Sequence, residues 1–346
     1  MLKHVTHTSL ILIKIPFWLF ELFTSAKSFR ANPIIGNDWL NRMGLHVVRL
    51  VSAHLIMQLR MWMVSWSISA EDRKVFQRDG YILKENFLPE SELLALQQEV
   101  SQFSGETREA RQGDTITERS VLDPEILTTM PAFANLLQQP SFRQLCSYTA
   151  GHIRPPLFYI ETVKNQFNSM QSTAEDPQKS FHSDTFHPTM KCWFFINEVK
   201  PEEGPFTYIP GSHKLTWKRI KWEYKMSLKV KSLGNNLASG GSFRFSDDDL
   251  EELGFAKPVS FAVKPNTLLL GNTFGVHRRG DTQGQTTRTT IWGDSRTNPF
   301  IPFPGVTSDW INQLQYTFLA DFRRRADEKA KRLGQPSPWK VVEKDL

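Results

Sequence analysis

The chain has 346 residues, 40% of them hydrophobic and 23% charged, which is ordinary for a globular chain of one large domain or two. Its net charge of +6 favours anionic partners such as membrane surfaces or phosphate-bearing ligands, and we expect no nucleic acid because no nucleic-acid-binding motif accompanies the charge. The two cysteines, Cys146 and Cys192, lack metal-ligand spacing, so we expect neither a disulfide nor zinc, and a cytoplasmic location.

The first 66 residues differ in composition from the rest and form a predicted helical extension. Residues 8–25 are apolar and aromatic, but charges at Lys14 and Glu21 make them a poor spanning helix, and no small-residue cleavage site follows. Residues 44–66 carry basic residues, tryptophans and methionines around an apolar face, typical of a helix in a membrane interface. We expect peripheral attachment to the inner face of the membrane, strengthened by the charges of Lys14, Arg30, Arg42, Arg49 and Arg60. The alternatives are packing on the core and a dimer contact.

The remaining residues, 67–346, form the predicted main domain. Short β-rich runs bounded by Pro, Gly and Asn predict strands within residues 156–163, 191–197, 202–214, 260–263, 267–270 and 286–292. Such strands indicate a mainly β protein with a jelly-roll core.

Helices flank these strands in the predicted fold, at residues 89–100, 133–150 and 309–332. The charged segment 105–123 is interpreted as a loop. A polar insert at about 215–255 is interpreted as a lid or outer excursion, and its lysines and arginines could meet an acidic group. We found no internal repeat.

Three potential metal ligands lie among the predicted strands. His182 and Asp184 are two residues apart on an extended stretch, so both can face one ion. His277 follows 93 residues later and can reach the same ion from a distant strand. Two imidazoles and one carboxylate with open positions opposite them are the ligand set of non-haem Fe(II) oxygenases. Arg288, eleven residues past His277, offers a bidentate fork for the distal carboxylate of a 2-oxo dicarboxylic acid.

These motifs resemble the phytanoyl-CoA dioxygenase branch of the Fe(II)/2-oxoglutarate oxygenases. The resemblance runs from about residue 71 to 299 and includes Phe-Gln-Arg-Asp-Gly-Tyr after Val75, the His-x-Asp pair, Ile-Pro-Gly-Ser-His-Lys ending at residue 214, and Gly-Val-His-Arg-Arg-Gly around His277. It implies a double-stranded β-helix core, in which His182, Asp184 and His277 bind Fe(II) and Arg288 binds 2-oxoglutarate.

Two further residues take a role only through this resemblance. Thr290, two residues after Arg288, is a candidate hydroxyl partner of the same carboxylate, and Trp193 falls where the family places a tryptophan beside the co-substrate.

The reaction that the resemblance implies is O2-dependent hydroxylation of an aliphatic C–H, with succinate and CO2 as co-products. Halogenases of the superfamily lack the ligating carboxylate, so Asp184 favours hydroxylation. The extension and the positive charge suggest a hydrophobic or lipid-like substrate. The alternatives are ring formation or another oxidation of a small secondary metabolite, and a non-catalytic, membrane-tethered barrel.

Overall fold

The computed structural model describes residues 14–166 and 176–342. Its strands are β1 (Tyr81–Lys84), β2 (Thr107–Gln112), β3 (Thr115–Val121), β4 (Leu157–Asn165), β5 (Met190–Phe195), β6 (Phe206–Tyr208), β7 (Val259–Ser260), β8 (Thr267–Asn272), β9 (His277–Arg279), β10 (Thr286–Ser295) and β11 (Lys340–Val342). Within the described residues they form an eight-stranded sheet, β1-β8-β5-β10-β4-β3-β2-β11, and a three-stranded sheet, β7-β6-β9. All the pairs are antiparallel.

The helices surround these sheets. Residues 14–21 are helical (α1). The helices that follow are α2 (Asp38–Arg42), α3 (Leu45–Met63), α4 (Ala70–Asp79), α5 (Glu90–Ser101), α6 (Pro124–Leu127), α7 (Pro131–Gln138), α8 (Pro140–Ala150), α9 (Trp217–Lys229), α10 (Asn236–Ser239), α11 (Asp247–Leu253) and α12 (Asp309–Arg332). No helix in the described ranges is long and apolar enough to cross a membrane.

The two faces of the large sheet contribute to different hydrophobic clusters, as the alternation of side chains along a strand requires. On β5, Cys192 and Phe194 pack in a cluster with residues of α5, α7 and α8, whereas Trp193 and Phe195 belong to an aromatic cluster with β6. Phe206 of β6 completes this second cluster, where its ring centroid lies 4.2 Å from that of Trp193. Two antiparallel sheets enclosing such a core confirm the predicted double-stranded β-helix.

The insert and the extension share a third cluster. Phe29 and Ile35 of the extension pack with Trp222, Met226 and Phe243 of the insert. The insert is therefore largely helical, α9 to α11, and it is joined to the first part of the chain by apolar contacts.

The third helix, α3, buries its polar side chains against the rest of the protein. Arg49 is 5% exposed and donates hydrogen bonds to the carbonyl oxygens of Leu22, Thr24 and Ala26, and Arg60 is 2% exposed. A buried cation adds little to a salt-sensitive attraction for a membrane. The expectation that all basic residues of the extension contribute to such an attraction is therefore wrong for Arg49 and Arg60.

Two local predictions were wrong. Residues 105–123, interpreted as a loop, contain the hairpin of β2 and β3, which turns at Gly113 with φ 60°. The many charged residues of this segment favoured an exposed loop. One of them, Arg108, is instead buried in ion pairs with Glu106 and Asp327. The predicted helix 133–150 is two helices, because the proline ring at Pro140 clashes with a continuing helix and instead occupies the first turn of α8.

Candidate metal centre

The three predicted ligands meet at one end of the small sheet. The backbones of His182 and His277 exchange two hydrogen bonds, of 2.9 and 3.0 Å, so the two residues lie side by side on antiparallel segments. The Asp184 amide donates to the Thr273 carbonyl, which fixes the segment two residues further on. One Asp184 carboxylate oxygen, Oδ1, then lies 3.8 Å from His182 Nε2 and 3.7 Å from His277 Nε2.

Both imidazoles are held in an orientation that leaves Nε2 free for a metal. The Nδ1 atom of His182 lies 2.8 Å from the Ser180 carbonyl oxygen, and that of His277 lies 2.8 Å from the Gly275 carbonyl oxygen. A carbonyl only accepts, so each Nδ1 carries the proton and each Nε2 carries a lone pair. His277 Nε2 is buried without a hydrogen-bond partner in the described residues, an arrangement that is costly unless an ion or water completes it.

The charge state of the triad suits a divalent cation. Burial lowers the pKa of His277 to about 4 and holds the pKa of His182 well below its usual value, so both imidazoles are neutral near pH 7. Burial opposes ionisation of Asp184, but the nearby positive charges of Lys191 and Arg296 hold the pKa of this carboxyl well below its usual range. The ligand atoms all lie within 4.8 Å of one another. Two neutral imidazoles and one carboxylate fit Fe(II).

Arg288 lies on β10 in the wall of the cavity that contains the triad. Burial lowers its pKa to about 10, and the charge of Arg279 lowers that pKa further. No carboxylate lies within ion-pair distance of Arg288 among the described residues, and its Nε is buried without a partner. Arg278 and Arg279 are instead paired with Asp281 and Asp176. Among the arginines of the cavity wall that the structure describes, Arg288 is thus the one without a carboxylate at ion-pair distance.

The other two predicted residues occupy different positions. Trp193 lines the cavity, and its strand partner in the register is Trp292. Thr290 is 4% exposed on the face of β10 that carries Arg288 and Trp292, but it is not part of the cavity wall.

The cavity has a volume of about 510 Å³, within the range usual for small-molecule sites. Its wall contains more cations than the sequence indicated, including Arg119, Lys191 and Arg296. Lys191 was detectable in principle, because it precedes Trp193 by two residues and so shares its face of β5. Arg296 follows the end of β10, so the alternation of side chains along a strand does not predict which way its side chain points.

Comparison with known proteins supports the assignment made from the sequence. Residues 76–233 match the family model described as phytanoyl-CoA dioxygenase, which confirms the resemblance inferred from the sequence. Ectoine dioxygenases of Bordetella parapertussis and Bordetella bronchiseptica are each 24% identical over 185 residues, which are 49% of this chain. The chain spans 58% of the length of these curated relatives.

The solved structures that align with part of this chain include the following two. The epimerase SnoN in complex with Fe3+, alpha ketoglutarate and nogalamycin RO is 17% identical, with a TM-score of 0.43 over 68% of this chain and 89% of its own. EctD from S. alaskensis with bound Fe is 18% identical, with a TM-score of 0.39 over 70% of this chain and 83% of its own.

Proposed function

We propose that this chain, whose residues 76–233 match the phytanoyl-CoA dioxygenase family, is a non-haem Fe(II)/2-oxoglutarate-dependent dioxygenase. One observation carries the proposal. The same cavity contains a buried cluster of His182, Asp184 and His277 and, on its wall, Arg288 without a counter-ion. An acid that chelates a metal ion held by the cluster, and that carries a second carboxylate for Arg288, would bind to both groups.

In this proposal each residue has a distinct role. His182, Asp184 and His277 hold Fe(II), and Arg288 binds the C5 carboxylate of 2-oxoglutarate. Bound iron, 2-oxoglutarate and O2 together supply an oxidant able to attack an unactivated C–H, with succinate and CO2 as co-products.

The surrounding residues prepare this centre. The Ser180 and Gly275 carbonyl oxygens accept from the two imidazole Nδ1–H groups and orient the rings. Lys191 Nζ lies 2.6 Å from Asp184 Oδ2, so it compensates one carboxylate oxygen while the other, Oδ1, faces the imidazoles. Trp193 and Phe206 form an aromatic part of the wall that excludes water from the reacting carbon.

We propose hydroxylation of an aliphatic C–H as the reaction, because the carboxylate of Asp184 takes the ligand position that halogenases of the superfamily leave to halide. Ring formation or another oxidation of a small metabolite uses the same residues and is the alternative reaction. The cavity offers aromatic surface for an aliphatic part of the substrate, but its many cations support a polar group rather than a purely hydrophobic, lipid-like molecule.

Turnover tests the proposal. The chain, loaded anaerobically with Fe(II), is exposed to O2 and 2-oxoglutarate, and succinate is measured with and without iron. We expect iron-dependent succinate even without the true substrate, because such centres turn over slowly when uncoupled. An Asp184→Ala variant should lose this activity. Equal succinate formation in the two proteins would refute the metal assignment.

We also propose that the extension attaches to a membrane surface. It exposes large apolar side chains, with Phe20 66%, Phe23 67%, Trp62 71% and Trp66 83% exposed, and such a surface is uncommon on a monomer without a partner. Liposome flotation tests this: the double variant Phe20→Ser/Phe23→Ser should bind more weakly, and Phe322→Ser on α12, where the side chain is 71% exposed, is the control. A concentration-dependent dimer with no flotation would contradict the proposal.

A further inference from the structure

Positive charge accumulates on one side of the triad, around Asp184. Lys191 Nζ contacts its carboxylate, and Lys27 Nζ donates a hydrogen bond to its backbone oxygen. Lys191 and Arg296 line the same cavity as Asp184, and Arg244 pairs with His182 across an antiparallel bridge. Lys27 belongs to the extension, so the extension contributes directly to this part of the site.

In the described residues, these positive side chains outnumber the carboxylates that could pair with them. Among the described residues, no carboxylate side chain lies within ion-pair distance of Lys27 or Arg244. Arg296 reaches Asp294 only through Nε, at 3.2 Å, and its two terminal nitrogens have no hydrogen-bond partner in the part of the chain described. A divalent metal ion would add two positive charges and share the carboxylate that Lys191 contacts. A further anion would therefore relieve an unfavourable concentration of partly buried charge.

The 2-oxoglutarate bound at Arg288 is not that anion. Arg288 and Arg296 are eight residues apart along β10 and its end, so at about 3.3 Å per residue their Cα atoms are separated by roughly 26 Å. The end carbons of 2-oxoglutarate are only about 5 Å apart, from C–C bonds of about 1.5 Å. One molecule of co-substrate cannot neutralise both ends of the cavity.

We propose that Lys191 and Arg296, two cations of the cavity wall, bind an anionic group, a carboxylate or phosphate, of the substrate itself. The proposal rests on the proposed function and specifies its substrate class. The remainder of the substrate would lie against Trp292 and Trp193, in the wall of the same cavity. Trp292 suits this position, since its ring centroid lies 5.9 Å from Lys191 Nζ and it pairs with Trp193 in the register.

Calorimetry on the loaded protein tests the site. The chain is saturated with Mn(II), which replaces Fe(II) without turnover, and with 2-oxoglutarate, so that the end at Arg288 is filled. Inorganic phosphate, acetate and neutral acetamide are then titrated at constant ionic strength. We expect phosphate or acetate to bind and acetamide not to bind, with the tighter anion identifying the kind of head group.

Variants distinguish anion binding at this site from a general effect of the positive charge of the protein. Arg296→Gln should weaken anion binding at least about tenfold and Arg296→Lys less, because the lysine keeps the charge. The Arg296 side chain is 49% exposed, so these variants are expected to fold. Arg325→Gln on α12, where the side chain is 73% exposed, removes the same charge elsewhere and should leave binding unchanged.

Two results would overturn the proposal. One is the absence of anion binding once Mn(II) and 2-oxoglutarate are bound. The other is equal anion affinity in Arg296→Gln and the wild type. The affinity of the same protein for 2-oxoglutarate is measured first, because its absence would refute the proposed function rather than the substrate site.

Discussion

Glu223 is the residue whose replacement we expect to destabilise the fold most clearly. Its carboxylate lies 3.0 Å from the Arg219 guanidinium on α9 and 2.8 Å from His46 Nε2 on α3. The side chains of Arg219 and Glu223 are only 0% and 1% exposed. Arg219 Nη2 also donates to the hydroxyl of Ser183, the residue between two of the proposed ligands. This network therefore connects the extension, the insert and the metal centre.

Glu223→Gln keeps the side-chain volume but leaves the Arg219 charge buried without an anion. Removing one partner of a buried pair costs about 3–5 kcal/mol. At about 2 °C per kcal/mol for a large domain, Tm should fall by roughly 6–10 °C. The matched control is Glu252→Gln, which breaks an insert ion pair with Lys225 whose side chains are both 58% exposed, and which should cost less than about 1 kcal/mol.

Urea unfolding measures the difference, with the slope of the transition checked for constancy. Metal affinity provides a second measurement. Without its carboxylate partner Arg219 should shift, and because Arg219 donates to Ser183 this shift should weaken metal binding in Glu223→Gln but not in Glu252→Gln. If Glu223→Gln stays within about 1 kcal/mol of the wild type, the buried pair does not stabilise the fold as argued.

Lowering the pH should reduce the difference in stability between the wild type and Glu223→Gln. Burial raises the pKa of Glu223, but Arg219 and then His46 outweigh burial and hold that pKa below its usual value. A carboxyl with a depressed folded pKa stabilises fully above its unfolded pKa of about 4.3 and loses that contribution as pH falls through the folded value. The gap between wild type and Glu223→Gln should therefore narrow below about pH 4.

Four further predictions follow from the site and the extension. His182→Ala, Asp184→Ala and His277→Ala should each abolish metal-dependent succinate formation, measured by mass spectrometry, because each removes a ligand. Arg288→Lys should raise the KM for 2-oxoglutarate at least about tenfold while metal binding persists, as a lysine lacks the bidentate fork. A chain starting at residue 67 should be insoluble or much less stable by circular dichroism, because it lacks the buried α3 and Lys27. Metal-free protein should lose stability from about pH 6.5 towards pH 4, since buried His277, with a pKa of about 4, stays neutral while its unfolded form takes up a proton.

Local patterns in the sequence predicted the elements that form from neighbouring residues. The helix α12 begins and ends at the predicted residues, because Ser308 caps its first turn and basic residues end it. The His-x-Asp pair, His277 and the strands around them were also recognisable, since the chemistry of a metal site restricts residue type and spacing.

Features made by distant segments were not predictable in the same way. Lys27 and Asp184 are 157 residues apart, and no periodicity indicates that their atoms meet. The same holds for His46 and Glu223, which are 177 residues apart. Their contact packs α3, a helix whose sequence is typical of a membrane interface, against the insert. For this reason the sequence alone does not indicate how closely the main domain packs against the extension.

Anaerobic binding of 2-oxoglutarate to the Fe(II)-loaded chain tests the central claim most directly. Chelation of ferrous iron by a 2-oxo acid gives a visible charge-transfer absorption, which can be titrated without knowledge of the substrate. We predict this band in the wild type, a right-shifted titration in Arg288→Lys and no band in His277→Ala. A wild-type chain that binds neither Fe(II) nor 2-oxoglutarate, or a band unchanged in His277→Ala, would contradict the account.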